Sequence, residues 1–402
     1  MHSVIRKRQG LPYTPEQPKG LIANSQHLIG VQVRAGPFPT DELATAYSAR
    51  SYPKLVGQAT SEDDALRRKA LSYLNEMLRS TRELSSLVPA GIVPALTQTA
   101  EVGHCVESRT LATAGLLPLA RDLNGRAAIL AEGSTTVPTL LRLVCDKDPQ
   151  VRCNALAVCL QLARFGEGSR ALIAGGCVAL LVKRCTEEAL GEQLAAVLAA
   201  LNMVCDTNQE GLDQAIAGSA IETACGLVDG KYLLEQPSPA VCADGFALLR
   251  TLTIGAAEKQ LAVKQGVLRV LVVMLTPTQT YPGEEEDPEL LHRVATEAAG
   301  ALMSLTVDTE CKSEAVRLGA IRPLSQIMRA SLQAEQSKEL SYDNSTLTNN
   351  ASKCIANLAE CPAGRKQLRS STLPDLEQLE LSAEPLVAKH AALAVYKTEW
   401  QP

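Results

Sequence analysis

Aromatic side chains are scarce in this chain: one Trp, eight Tyr and three Phe among 402 residues, or 3%, although 46% of the sequence is hydrophobic. Large rings bury the most area per residue and normally dominate globular cores. Strands favour aromatic and β-branched residues, so the shortage argues against a sheet-rich sandwich. Gly (26) and Pro (21) are too few for collagen-like or disordered sequence. No run of 18 apolar residues exists, so no membrane-spanning segment is expected. Positive charge is not in excess: the net charge is −5, whereas phosphate binding needs clustered Lys and Arg, so nucleic acid is not an expected partner. Met1 to Gly20 carries a basic triplet (Arg6, Lys7, Arg8) with no apolar stretch behind it, and so does not read as a secretory signal. Length alone predicts two or three domains of ordinary size.

What is abundant is Ala, Leu, Val and Ile, together with 12 cysteines. No two cysteines form a C-x-x-C pair, and most lie among Ala, Leu and Val, as small buried hydrophobes do. The expectation is free thiols in a reducing compartment.

A short signature recurs along the chain, an apolar residue followed by Pro or a small residue and then Leu. It is found at Tyr52, Val93, Val137 and Val178, and more loosely at Ile221, Leu268, Ile321 and Leu373. Gly91, Gly176, Gly266 and Gly319 each stand two residues ahead of an anchor. Spacings run from 41 (Tyr52 to Val93) to 53 (Leu268 to Ile321). Each unit later carries an Ala/Leu-rich segment. In RCNALAVCLQLA, residues Ala155, Val158, Cys159 and Leu162 follow the i, i+3, i+4, i+7 spacing of one buried helix face. A period in the forties with Gly before an apolar helix start is the pattern of HEAT or armadillo repeats. The sequence therefore predicts an all-α, armadillo/HEAT-like right-handed superhelical solenoid of about eight repeats, residues 41–402, which reduces the domain count to one. Residues 1–40, broken by Pro12, Pro15, Pro18, Pro37 and Pro39, are expected to form an extended or disordered arm.

The interval from anchor to third-helix landmark is 24 residues from Val137 to Gln161 and from Val178 to Asn202. It rises to 30 (Ile221 to Thr251) and then to 36 (Leu268 to Ser304, Ile321 to Asn357). Insertions are thus expected near 232–239, 277–288 and 331–346, each between a second and a third helix and so on one edge of the solenoid. The middle one, with Tyr281, Glu284, Glu285, Glu286 and Asp287, is acidic and is a candidate docking loop.

Catalytic and ligand motifs are weak. Gly166, Gly168 and Ala171 fit G-x-G-x-x-A, but a helix precedes them where a strand is required, and in the repeat register they fall in the loop between one unit's third helix and the next unit's first. The five His are dispersed without metal-ligand spacing. Asp146 and Asp148 in DKDP read as a turn opening a third helix; an EF-hand loop needs far more oxygen ligands. No P-loop or nucleophile elbow occurs. No catalytic residue, metal, cofactor or small-molecule substrate is expected. In an armadillo superhelix the third helices line the concave groove, so the positions of the repeat's consensus Asn face a bound chain. Here they carry Gln161, Asn202, Thr251, Ser304 and Asn357, candidates for hydrogen bonding an extended peptide.

The segment TEAAGALMSLTVDTECKSEAVRLGAIRPLSQI, then NNASKCIANLAECPAGRKQL and the terminal AALAVYKTEW, resembles the armadillo-repeat radial spoke proteins of motile cilia and flagella. ARSYPKLVGQATSEDDALRRKALSYL is similar to that family's first repeat. The resemblance implies a non-enzymatic scaffold of the axoneme whose partners are other radial spoke subunits. The alternative is a soluble armadillo adaptor or transport receptor resembling importin α. That family uses a groove ladder of Trp, and this chain has no Trp before Trp400.

Overall fold

The computed structural model describes residues 51–101, 105–131, 133–188, 191–229, 238–276, 287–337 and 345–400. Its 23 helices, among the described residues, form a leading pair and seven three-helix units. The pair is α1 (Ser51–Gln58) and α2 (Asp64–Met77). Then come α3 (Thr81–Leu87), α4 (Ile92–Thr99) and α5 (Val106–Arg121), followed by α6 (Leu123–Ile129), α7 (Thr136–Leu143) and α8 (Pro149–Ala163). The next two units are α9 (Gly166–Ala174), α10 (Cys177–Glu187), α11 (Glu192–Thr207), and α12 (Gln209–Ala217), α13 (Ala220–Val228), α14 (Pro239–Leu252). The fifth unit is α15 (Ala256–Lys264), α16 (Val267–Met274) and α17 (Pro288–Leu305). The chain ends with α18 (Thr309–Arg317), α19 (Ile321–Ser337), α20 (Ser345–Leu358), and α21 (Pro362–Ser371), α22 (Leu373–Leu379), α23 (Pro385–Glu399). Eight long third helices (α2, α5, α8, α11, α14, α17, α20, α23) each pack on the next in line. The all-helical repeat architecture is the one the periodicity predicts.

The Gly ahead of each anchor is the turn from a first helix into a second. Gly91, Gly176, Gly266 and Gly319 have φ between 82° and 86°, and Ser219 takes the same place at φ 61°. An L side chain is disfavoured there by about 1–2 kcal/mol, the reason four of these turns use Gly. Three of the eight third helices start on Asp, as where Asp63 Oδ1 accepts from the N–H of Ala65 and Leu66, and Asp148 Oδ1 from those of Gln150 and Val151. Pro149, Pro239, Pro288 and Pro385 open four of them, where the missing N–H is harmless.

One continuous core runs from Val56 to Val395. Phe246 is the lone aromatic among the described buried hydrophobics; Leu, Ala, Val and Cys fill the rest, while Tyr73, Phe165, Tyr396 and Trp400 are exposed. Thin helix layers that pack only on neighbours leave no deep centre for large rings to fill. All 12 cysteines are free, and eight are buried. Burial pushes the thiols of Cys159, Cys185, Cys205, Cys225, Cys242 and Cys311 up to about 12, which keeps them protonated.

Two local readings change. Gly166, Gly168 and Ala171 are in helix α9, not in a loop. There α9 crosses the end of α8 so closely that a Cβ on Gly168 would stand 2.2 Å from the Leu162 carbonyl oxygen. Gly125 and Gly364 meet the backbones of Leu119 and Leu358 in the same way, so the motif is a packing device of the repeat. Gly168→Ala is expected to lower the unfolding free energy by about 1–3 kcal/mol, because backbone cannot yield as a side chain does; a denaturation midpoint equal to wild type would refute this. The second change concerns residues 331–337, which extend helix α19 rather than starting a loop. The arm (1–40) and residues 277–286 lie outside the described residues, as do 232–237 and 338–344 of the other two insertions.

Candidate functional site: the face of the third helices

Consecutive third helices are joined by side chains that reach back one repeat. Asn357 Nδ2 donates to the Met303 carbonyl at 3.3 Å and to Thr306 Oγ1 at 3.4 Å. Ser304 Oγ donates to the Thr253 carbonyl at 3.0 Å. Gln161, Asn202, Ser304 and Asn357 are half-buried, and Asn202 Oδ1 is a buried acceptor without a partner. Thr251 is buried, and its hydroxyl donates to the Ala247 carbonyl of its own helix at 3.3 Å, which turns it away from any bound chain. Sequence reading missed a second row of asparagines seven residues earlier on the same face. Asn154 Nδ2 donates to the Thr110 carbonyl at 3.1 Å and Asn350 Nδ2 to the Thr296 carbonyl at 3.3 Å. Asn154 and Asn350 precede Gln161 and Asn357 at that interval, so the i, i+7 spacing was the available signal.

Of the acidic insertion residues, Tyr281, Glu284, Glu285 and Glu286 lie outside the described residues. Asp287 is described, and its Oδ1 accepts from the Glu289 N–H at 3.0 Å as the cap of α17.

Two recesses open on the third-helix face. One, about 810 Å³, lies near the start of the array between α2 and α5, with Asn75, Glu76, Arg79, Leu111, Pro118 and Arg121 on its walls. The other, about 490 Å³, is built by four units: Arg250 of α14, Met303 and Ser304 of α17, Lys353 and Asn357 of α20, and His390 and Leu393 of α23. Arg250 pairs with Glu297 at 3.2 Å, and Lys259 Nζ donates to the Ile254 carbonyl at 2.6 Å. His390 Nδ1 lies 2.7 Å from the Leu386 carbonyl, which accepts its proton, and 2.7 Å from Asn349 Oδ1. Burial first, then the charges of Lys353 and Lys389, hold the His390 pKa below its ordinary value, so the ring is neutral at pH 7. Among the described residues no cluster of three His, Cys, Asp or Glu side chains could hold a metal ion, and no helix is long and apolar enough to cross a membrane.

Comparison with known proteins agrees with this geometry. The HEAT repeat family model matches residues 136–166, which cover α7 and α8. Radial spoke protein 14 of Chlamydomonas reinhardtii is 28% identical over 163 residues, 40% of this chain and 41% of that protein. The match therefore spans about two fifths of the length of that curated relative. Among solved structures, an engineered protein superposes with a TM-score of 0.59 at 20% identity, over 93% of this chain and 91% of its own. A designed armadillo repeat protein gives 0.52 at 22% identity, over 65% of this chain and 100% of its own. Another, in complex with the peptide (KR)4, gives 0.51 at 22%, over 65% and 99%. The chain has an all-helical, armadillo-type repeat fold and shares a distant likeness with radial spoke protein 14 over two fifths of its length.

Proposed function

We propose that the chain is a non-enzymatic structural scaffold of the axonemal radial spoke in motile cilia and flagella. It holds neighbouring spoke subunits along the third-helix face, at Gln161, Asn202, Ser304 and Asn357, and through the insertions that follow its fifth, sixth and seventh second helices. The observation that carries the reading is the 163-residue likeness to a radial spoke protein. An unbroken stack of third helices with two open recesses supports it, because such a surface offers a long contact area for other proteins.

A tagged full-length chain in ciliated cells tests this. After detergent extraction it is expected in the axonemal pellet, and release with the soluble fraction would overturn the scaffold reading. Deletion of residues 277–286, which spares the Asp287 cap, is expected to reduce incorporation without changing the melting of the purified chain. Normal incorporation would exclude that insertion as a contact.

A further inference from the structure

The recess shared by α14, α17, α20 and α23 differs from the one at the start of the array, where Glu76 and Asp122 stand beside Arg79 and Arg121. Its lining includes Arg250, Lys259, Lys353 and His390 and no carboxylate. Glu297 draws on Arg250, and the Ile254 carbonyl ties down Lys259. Lys353 makes no ion pair among the described residues. Beside these cations lies an apolar rim that water should not cover in a finished assembly: Ile254 is 63% exposed, Val307 58% and Leu393 41%. From Leu393 the rim continues along α23 to Tyr396 at i+3, and the exposed Trp400 stands just past the end of the helix. Cations set against low-dielectric walls concentrate their field on an anion that also has something apolar to bury.

We propose that this recess seats an extended acidic segment of a partner protein, its carboxylates meeting Lys353 and Arg250 and its intervening apolar side chains covering Ile254, Val307 and Leu393. Ser304 and Asn357 line the wall with their donors already engaged by the preceding repeat, so only their oxygens are left to accept from the segment's main chain. The proposal deepens the scaffold reading by naming the chemistry of one partner, and rests on it only for the partner's being a protein.

Fluorescence polarisation on the purified full chain tests the proposal with a labelled decapeptide of alternating Glu and Leu. Saturable binding is expected that weakens at least about tenfold between low and physiological salt, with no binding of a (KR)4 probe. Lys353→Glu should weaken binding about tenfold or more, while Lys366→Glu, an exposed charge change outside the recess, should leave it intact. Val307→Glu, at an exposed rim position that folding does not depend on, should weaken it likewise and guards against a misfolded Lys353 variant. Absence of saturable binding, or equal losses in the Lys353 and Lys366 variants, would overturn the proposal. A chain that binds the probe yet washes out of axonemes would defeat the spoke placement and leave the recess assignment standing.

Discussion

Asp146→Ala is expected to lower the unfolding free energy by about 3–5 kcal/mol, the usual consequence of removing one partner of a buried ion pair. Arg109 of α5 donates to Asp146 through Nε at 3.1 Å and Nη2 at 2.9 Å. Both residues are buried, so the two-pronged contact is withdrawn from solvent. Asp146 also accepts from the Asp148 N–H at 2.9 Å, and Asp148 caps α8. The alanine change thus takes the carboxylate away from a buried guanidinium and loosens the start of a third helix. Urea denaturation followed by far-UV circular dichroism measures the loss. Adding Arg109→Met should recover a large part of it, because the buried charge that has lost its carboxylate is then gone. If the single variant melted like wild type, or the double variant were worse than the single, the pair would not be a keystone of that junction.

The same junction shows what the sequence made legible and what it hid. The αL turns at Gly91, Gly176, Gly266 and Gly319 were readable, because Gly suits that backbone best and its spacing follows the period. The Asp148 cap was readable from DKDP for a similar local reason. The Arg109–Asp146 pair was not: its members are 37 residues apart, and no local pattern marks either one. Such contacts have a period of their own, however. Bonds between units span 31 to 44 residues in the early array, as from Tyr52 to Glu83 and from Asn154 to Thr110. Among α14, α17 and α20 they span 47 to 55, as from Arg250 to Glu297 and from Cys354 to Ala299. The second range is longer because the insertions sit between the bonded helices, so insertion length and contact distance are the same fact. Gly168 shows the opposite failure. Its local pattern was conspicuous and was placed in a loop, and only the crossing of α9 over α8 explains the residue. The basic recess was hidden most deeply, since its lining is drawn from residues 250 to 393 and is assembled by stacking alone.

Asp244 supplies a second large effect, one that depends on pH. It lies in α14, buried, paired with Arg293 of α17 and close to Glu297. Burial pushes its pKa from 3.8 up to about 6; Arg293, half exposed to water, pulls it back only in part, and Glu297 pushes the same way as burial. A raised carboxyl pKa means that between pH 4 and 6 the folded chain keeps a proton that the unfolded chain has released. The stability this group contributes is therefore fully present below the unfolded pKa and is lost as pH rises through about 6. A shift of this size corresponds to about 3 kcal/mol. Asp244→Asn mimics the protonated acid in shape and does not titrate. Wild type and variant should melt alike near pH 4 and separate as pH rises, the Asn form being more stable by about 2–3 kcal/mol at pH 7. Asp308, Glu314 and Glu360 have lowered pKa values and weaken both proteins equally on acidification, so the difference between the two curves isolates Asp244. Parallel curves across that range would mean that Arg293 compensates the buried charge in full, and a less stable Asn form at pH 7 would make the pair a net source of cohesion between α14 and α17.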